Sequence, residues 1–132
     1  MSDSKAQPTV LLIDDESIVR RLMRTMLMDL ECDVSQEASN GEDGIALFTE
    51  KRPDLVFVDI NMPGMGGLEV LKAVLEIDRR AFVVVVSADS TANNVRGAIM
   101  GGAQGFVVKP FTASKFKDIL TKYEARRAAA AG

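Results

Sequence analysis

The chain has 132 residues, 47% of them apolar and 27% charged, with a formal net charge of −3, which suits one domain with a real core and is too short for two ordinary ones. The acidic balance argues against DNA binding by bulk charge, because duplex binding is dominated by neutralising phosphates. A single cysteine, Cys32, closes no internal disulfide, and the lack of any histidine excludes histidine triads, histidine general bases and the usual zinc shells.

Residues 1–8 read as a short, polar, flexible N-terminal tail with no basic-then-apolar leader. Thr9–Ile13 (TVLLI) predicts a buried strand that stops at Asp14 and Asp15. Ile18, Val19, Leu22, Met23, Met26 and Leu27 then recur at helical spacing. Asp15 or a neighbour is expected to cap that helix, with Glu16 in its first turn. Asp33–Ala38 alternates more weakly, as a less buried edge strand does. Asn40-Gly41 marks a turn, and 45–48 (IALF) predicts a short helix stopped before Pro53. Residues 55–58 form a third strand that ends at Asp59 and breaks into the loop NMPGMGG. Leu68, Val70, Leu71, Val74 and Leu75 predict a helix, and FVVVV at 82–86 a strand apolar on both faces, ending at Ser87. Val95, Ala98 and Ile99 make a weak helix closed by Gly101 and Gly102. Gly105–Val108 is a fifth strand, ending at Lys109-Pro110. Phe116, Ile119, Leu120 and Tyr123 give a last amphipathic helix. One domain over 9–124 is expected, with 125–132 as a helix extension or tail. No apolar run is long enough to span a membrane, so a cytoplasmic location is expected.

Five strand-then-helix repeats imply an α/β fold, a doubly wound parallel sheet covered on both faces. Ligands bind such sheets beyond the carboxyl ends of the strands. Those ends carry Asp14 and Asp15, Asp59, Ser87 and Lys109. Singly, each has an ordinary role as cap, turn residue or solvated charge. Together they suit one reaction. Crowded carboxylates call for a hard cation, for which Mg²⁺ is the natural choice and Mn²⁺ a plausible substitute. A carboxylate can itself be a nucleophile and form an aspartyl-phosphate. Metal, ammonium and hydroxyl would each neutralise an oxygen of the transferring group.

The early DD pair, then VDINMPGMGG, VVSA and GAQGFVVKPF, in this order, resemble the receiver domain of two-component response regulators. The resemblance covers about residues 9–123. It implies the flavodoxin-like sheet order 2-1-3-4-5, the strand order of a known receiver example. It also implies a chemotaxis-type single-domain regulator, or a receiver excised from a larger one. By position, Asp59 matches the phosphoacceptor. Asp15 and Asp59, with the backbone carbonyl of Asn61, match the direct Mg²⁺ ligands, and Asp14 acts mainly through water. Ser87 matches the hydroxyl that moves onto the phosphoryl group, and Lys109 the site lysine, with Lys109-Pro110 a cis bond. Phe106 matches the switch position whose ring turns inward. Asn61 and Asp89 occupy the two positions that tune self-dephosphorylation, and an amide and an acid there imply a short-lived phosphate. The expected partners are a sensor histidine kinase or histidine phosphotransfer protein and a downstream protein target, with a monomer favoured.

Two features depart from the commoner pattern. Ser87 stands where Thr is usual, and Phe106 lacks a phenol hydroxyl, so a switch here rests on ring packing. Two other readings remain. Haloacid-dehalogenase-like phosphatases also use a strand-end Asp and Mg²⁺, but place an acid two residues later, where this chain has Asn61. A receiver fold can also serve as an unphosphorylated binding module, usually with a site residue missing.

Overall fold

The computed structural model describes residues 7–131. Five strands alternate with five helices: β1 (Thr9–Ile13), α1 (Ser17–Asp29), β2 (Asp33–Ala38), α2 (Gly41–Lys51), β3 (Leu55–Asp59), α3 (Gly67–Ile77), β4 (Phe82–Ser87), α4 (Ala92–Met100), β5 (Gly105–Val108) and α5 (Ala113–Ala131). All strand pairs are parallel, in the order β2-β1-β3-β4-β5, as the family resemblance implies.

The apolar strand runs are continuous because both faces of the sheet are covered. Successive side chains on a strand point to opposite faces. Val10, Leu12, Phe57, Val84 and Val86 therefore share one core with Met23 and Leu27 of α1 and Phe116 and Ile119 of α5. Leu11, Ile13, Val56, Val58, Val83 and Val85 share the other with Phe48 of α2, Val70, Leu71 and Val74 of α3, and Ala98 of α4. The rings of Phe57 and Phe116 meet edge-on at 5.6 Å, which ties α5 to the middle of the sheet. β2 is an edge strand, and only Val34 and Ala38 of it are buried.

Several local expectations are corrected. The first helix begins at Ser17, so Glu16 is its N-cap and not a first-turn residue, and no side chain caps it. Asp14, not Asp15, accepts the N–H of Glu16, at 2.9 Å. Ile18 and Leu22 fit the helical period yet lie on its exposed side, 79% and 47% exposed. The second helix starts at Gly41, because the Asn40 side chain accepts the N–H of Asp43 and caps it. The last helix runs unbroken to Ala131, consistent with alanine's high helix propensity. Residues 1–6 of the expected tail lie outside the described residues, while the Pro8 carbonyl accepts the N–H of Asp33 at 2.8 Å. No described helix is long and apolar enough to cross a membrane.

Candidate functional site

Parallel strands deliver their carboxyl ends to one edge of the sheet. Asp59 closes β3, level with Val86 of β4. Ser87 closes β4, level with Val108 of β5, and Lys109 follows. Asp14 and Asp15 follow Ile13 of β1, which is level with Val58. Strand register therefore gathers residues that are up to 95 positions apart in the chain.

Carboxylate oxygens of Asp14, Asp15 and Asp59 lie within 4.8 Å of one another. Asp14 and Asp59 are buried and Asp15 is exposed. The Lys109 ammonium stands 3.2 Å from Asp14 Oδ2, 3.6 Å from Asp59 Oδ1 and 3.9 Å from Glu16 Oε1. One cation among these acids leaves the site strongly negative. Burial is the main cause that pushes the Asp59 carboxyl up to about 6. Lys109 and the Asn61 N–H pull it back down, and Asp14 and Asp15 push it further up. An all-oxygen donor set with excess negative charge fits a hard divalent cation such as Mg²⁺.

Asp14 is held on every side. Its N–H donates to Ala38 and its Oδ1 accepts from Glu16. Its carbonyl accepts from Arg20 Nη1 at 2.6 Å. Arg20 in turn donates to Glu37 of β2 at 3.0 Å, and Glu37 also takes Arg24 at 2.7 Å. Asp15, by contrast, is free of any such framework in the described hydrogen bonds, and its exposed carboxylate faces the site edge.

Ser87 is fully buried, and its Oγ accepts the Asp89 N–H at 3.0 Å. Asp89 Oδ1 accepts from the Thr91 N–H at 3.0 Å, and Thr91 caps α4 by accepting from Asn94. A continuous line of hydrogen bonds thus joins Ser87 to the start of α4, a helix whose one buried residue is Ala98. Asn61 is exposed, and its backbone N–H helps to hold the Asp59 carboxyl down. The Lys109-Pro110 peptide bond is cis. Phe106 does not join the charged cluster. It lies level with Val85, back along the sheet, half-buried against the core under α3 and α4.

Three contributors were not singled out from sequence as part of the site. Glu16 is the N-cap of α1 and Arg20 lies in its first turn, and both reach the site only through folding. Gly67 was signalled by the Gly66-Gly67 pair after the loop. A Cβ at Gly67 would sit 2.3 Å from the Asp59 carbonyl oxygen, so α3 starts directly against the end of β3 only because that residue has no side chain. Its N–H donates to the Ile60 carbonyl at 2.9 Å.

Comparison with known proteins agrees with this geometry. The family model for the response regulator receiver domain matches residues 10–121. Chemotaxis protein CheY of Thermotoga maritima is 35% identical over 113 residues, covering 86% of this chain and 94% of the relative. Its namesake from Bacillus subtilis has the same identity and coverage. Among solved structures, Vibrio cholerae chemotaxis protein CheY4 has a TM-score of 0.82 at 27% identity, covering 89% of this chain and 99% of that one. The CheX-CheY-BeF3-Mg complex from Borrelia burgdorferi has a TM-score of 0.82 at 26% identity and 85% coverage of each chain. With the sheet order, the acidic cluster and the match over most of its length, the chain belongs to the response regulator receiver domain family.

Proposed function

We propose that Asp59 accepts a phosphoryl group from a phosphohistidine on a sensor kinase or phosphotransfer protein, and that this modification switches the binding of a downstream protein. The observation that carries this is the buried Asp59 carboxylate, 3.6 Å from the Lys109 ammonium and within 4.8 Å of two further acids. Asp15, Asp59 and the Asn61 carbonyl would hold Mg²⁺ directly, with Asp14 acting through water. Bound there, the ion would supply positive charge to the phosphoryl oxygens and relieve repulsion among the carboxylates.

The chain's own groups do the rest. An Asp59 carboxylate oxygen attacks phosphorus. The P–N bond to the donor breaks, and its electron pair stays on the departing imidazole. No general base is needed, because at neutral pH a carboxyl titrating near 6 is mostly ionised. Lys109 pairs with one phosphoryl oxygen and Ser87 donates its hydroxyl to another. A hydroxyl donates and accepts at once, so a Ser87 Oγ drawn onto the phosphoryl group takes with it the Asp89 N–H that it accepts from. That movement pulls on the loop to Thr91 and on α4, whose shallow anchoring suits displacement. Phe106, beside α4, then repacks, and the face of α4, β5 and α5 changes its affinity for a partner. Phosphorylation shifts the population only as far as it stabilises one state over the other.

Hydrolysis resets the switch: water attacks phosphorus, the bond to Asp59 breaks and inorganic phosphate leaves. Asn61 and Asp89 border that approach and would tune its rate. The relatives named as chemotaxis proteins, and the neighbour bound to CheX, support a chemotaxis-type phosphorelay with a protein as its target.

The test is an NMR titration with beryllium fluoride and Mg²⁺. Slow-exchange shifts should appear at Ser87, Asp89 and Phe106 and vanish in Asp59→Asn. Shifts confined to Asp14, Asp15 and Asp59 would mean that the site binds the mimic without switching. No response at all would favour an unphosphorylated binding module.

A further inference from the structure

At the opposite end of the sheet from Asp59, where β3 and β4 begin and α5 ends, lies a cavity of about 270 Å³. Four arginines line it, Arg52, Arg80, Arg126 and Arg127, with two acids, Asp54 and Asp78. Four positive and two negative charges leave a local excess of two on a chain whose net charge is −3.

Both acids are already engaged elsewhere. Asp54 Oδ2 accepts from the N–H and hydroxyl of Thr9 at 2.9 and 3.1 Å. Asp78 Oδ1 accepts from the Arg80 N–H at 2.9 Å. Among the described residues Arg127 pairs with Glu124 at 4.0 Å, while Arg52, Arg80 and Arg126 form no ion pair.

Arg126 is the fixed member. Its Nη2 donates to the Arg80 carbonyl at 2.7 Å. Its guanidinium lies over the Phe82 ring at 5.5 Å, and that ring meets Tyr123 edge-on at 5.4 Å. Carbonyl and ring together set the plane of the guanidinium. Its Nη1, however, is buried with no hydrogen-bond partner among the described residues. Buried polar groups in folded proteins are nearly always paired, so the unpaired Nη1 leaves the charge of this guanidinium only partly compensated.

We infer that this cavity binds a small multivalent oxyanion, free phosphate or the phosphate group of a phosphomonoester, drawn by the under-compensated charge of Arg126. Arg52 and Arg80 supply the remaining positive charge. A guanidinium presents its donors in a planar fork that matches tetrahedral oxyanions, and hydrogen bonds to ionised acceptors are the stronger kind. A dianion also balances the local excess of two, which a single carboxylate would leave half met. The site shares no residue with the acidic cluster, so its occupancy is independent of the chemistry at Asp59.

The test is a titration of the ¹⁵N-labelled full chain with sodium phosphate, without Mg²⁺ and at ionic strength held constant with sodium chloride. The signals followed are arginine side chains and the backbone amides of Arg80 and Phe82. Saturable shifts with a Kd of about 1 mM or tighter are expected. Arg126→Gln should weaken binding at least tenfold. Arg52→Gln, an exposed residue away from the Phe82 packing, should weaken it several-fold and guards against a folding defect in the first variant. A parallel arm uses glycerol 3-phosphate. Tighter binding there makes a phosphomonoester the source, and weaker binding makes it free phosphate. Shifts that do not saturate, that sodium chloride alone reproduces, or that both variants leave unchanged would overturn the inference.

Discussion

Lys109 reaches Asp59 at 3.6 Å although the two come from strands that are not neighbours, with β4 between them. The lysine side chain is 15% exposed and also lies 3.2 Å from Asp14. Its charge opposes the burial that raises the Asp59 carboxyl. In Lys109→Met, the Asp59 pKa in metal-free protein should therefore rise beyond its wild-type value by about one unit or more. Carboxyl ¹³C NMR reads this directly. An unchanged value would show that the contact carries no electrostatic coupling.

A pH dependence follows from the same residue. The folded pKa of about 6 lies above the ordinary 3.8, so the folded chain holds this proton more tightly than the unfolded chain does. Asp59's contribution to stability is therefore lost as pH rises from 3.8 through about 6 in metal-free protein. Asp59→Asn removes that loss and should stabilise the metal-free fold at pH 7 by on the order of 1–2 kcal/mol. Urea unfolding of both proteins across this range provides the check. Mg²⁺ needs the ionised carboxylate, so its affinity should climb over the same window. Wild type gaining stability relative to Asp59→Asn with rising pH would reverse the sign and refute the account.

Gly67→Ala should be costly. The added methyl would meet the Asp59 carbonyl oxygen at 2.3 Å and the Ile60 Cα at 2.8 Å. Both belong to backbone, so no flexible side chain can yield. A loss of about 1–3 kcal/mol is expected from such overpacking, together with slower phosphorylation as the end of β3 shifts. Denaturant midpoints and labelling rates measure the two effects separately. A wild-type midpoint would mean that α3 can move away freely.

Cys32 should be inert in the folded protein. It is buried, and burial, with a smaller push from Glu124, raises its thiol to about 11. Thiolate is the reactive form. An aromatic disulfide reagent at mildly alkaline pH should label it only as fast as the chain unfolds, and at once in urea. Rapid labelling of the native protein would contradict the packing of α1 against β2.

The sheet was legible because two-sided burial writes itself as unbroken apolar runs such as FVVVV, and its ends were legible because a charge or hydroxyl follows each run. Helix limits were harder. The period that marks Met23 and Leu27 as core also admits Ile18 and Leu22, which the fold leaves exposed. Asn40 looked like a turn residue, and it is in fact the cap from which α2 starts. The cluster of Asp14, Asp15, Asp59 and Lys109 was foreseeable from strand-end position alone. The brace from Glu37 through Arg20 to the Asp14 carbonyl was not, because it depends on where β2 lies relative to α1. The arginine cavity was equally hidden, since its members come from the ends of three separate elements.

The most direct test of the central claim is intact mass after incubation with a small phosphodonor such as acetyl phosphate, with and without Mg²⁺, on wild type and Asp59→Asn. The account predicts a gain of one phosphoryl group that requires the metal and is lost in the variant. A gain of equal size and stability in Asp59→Asn would contradict it.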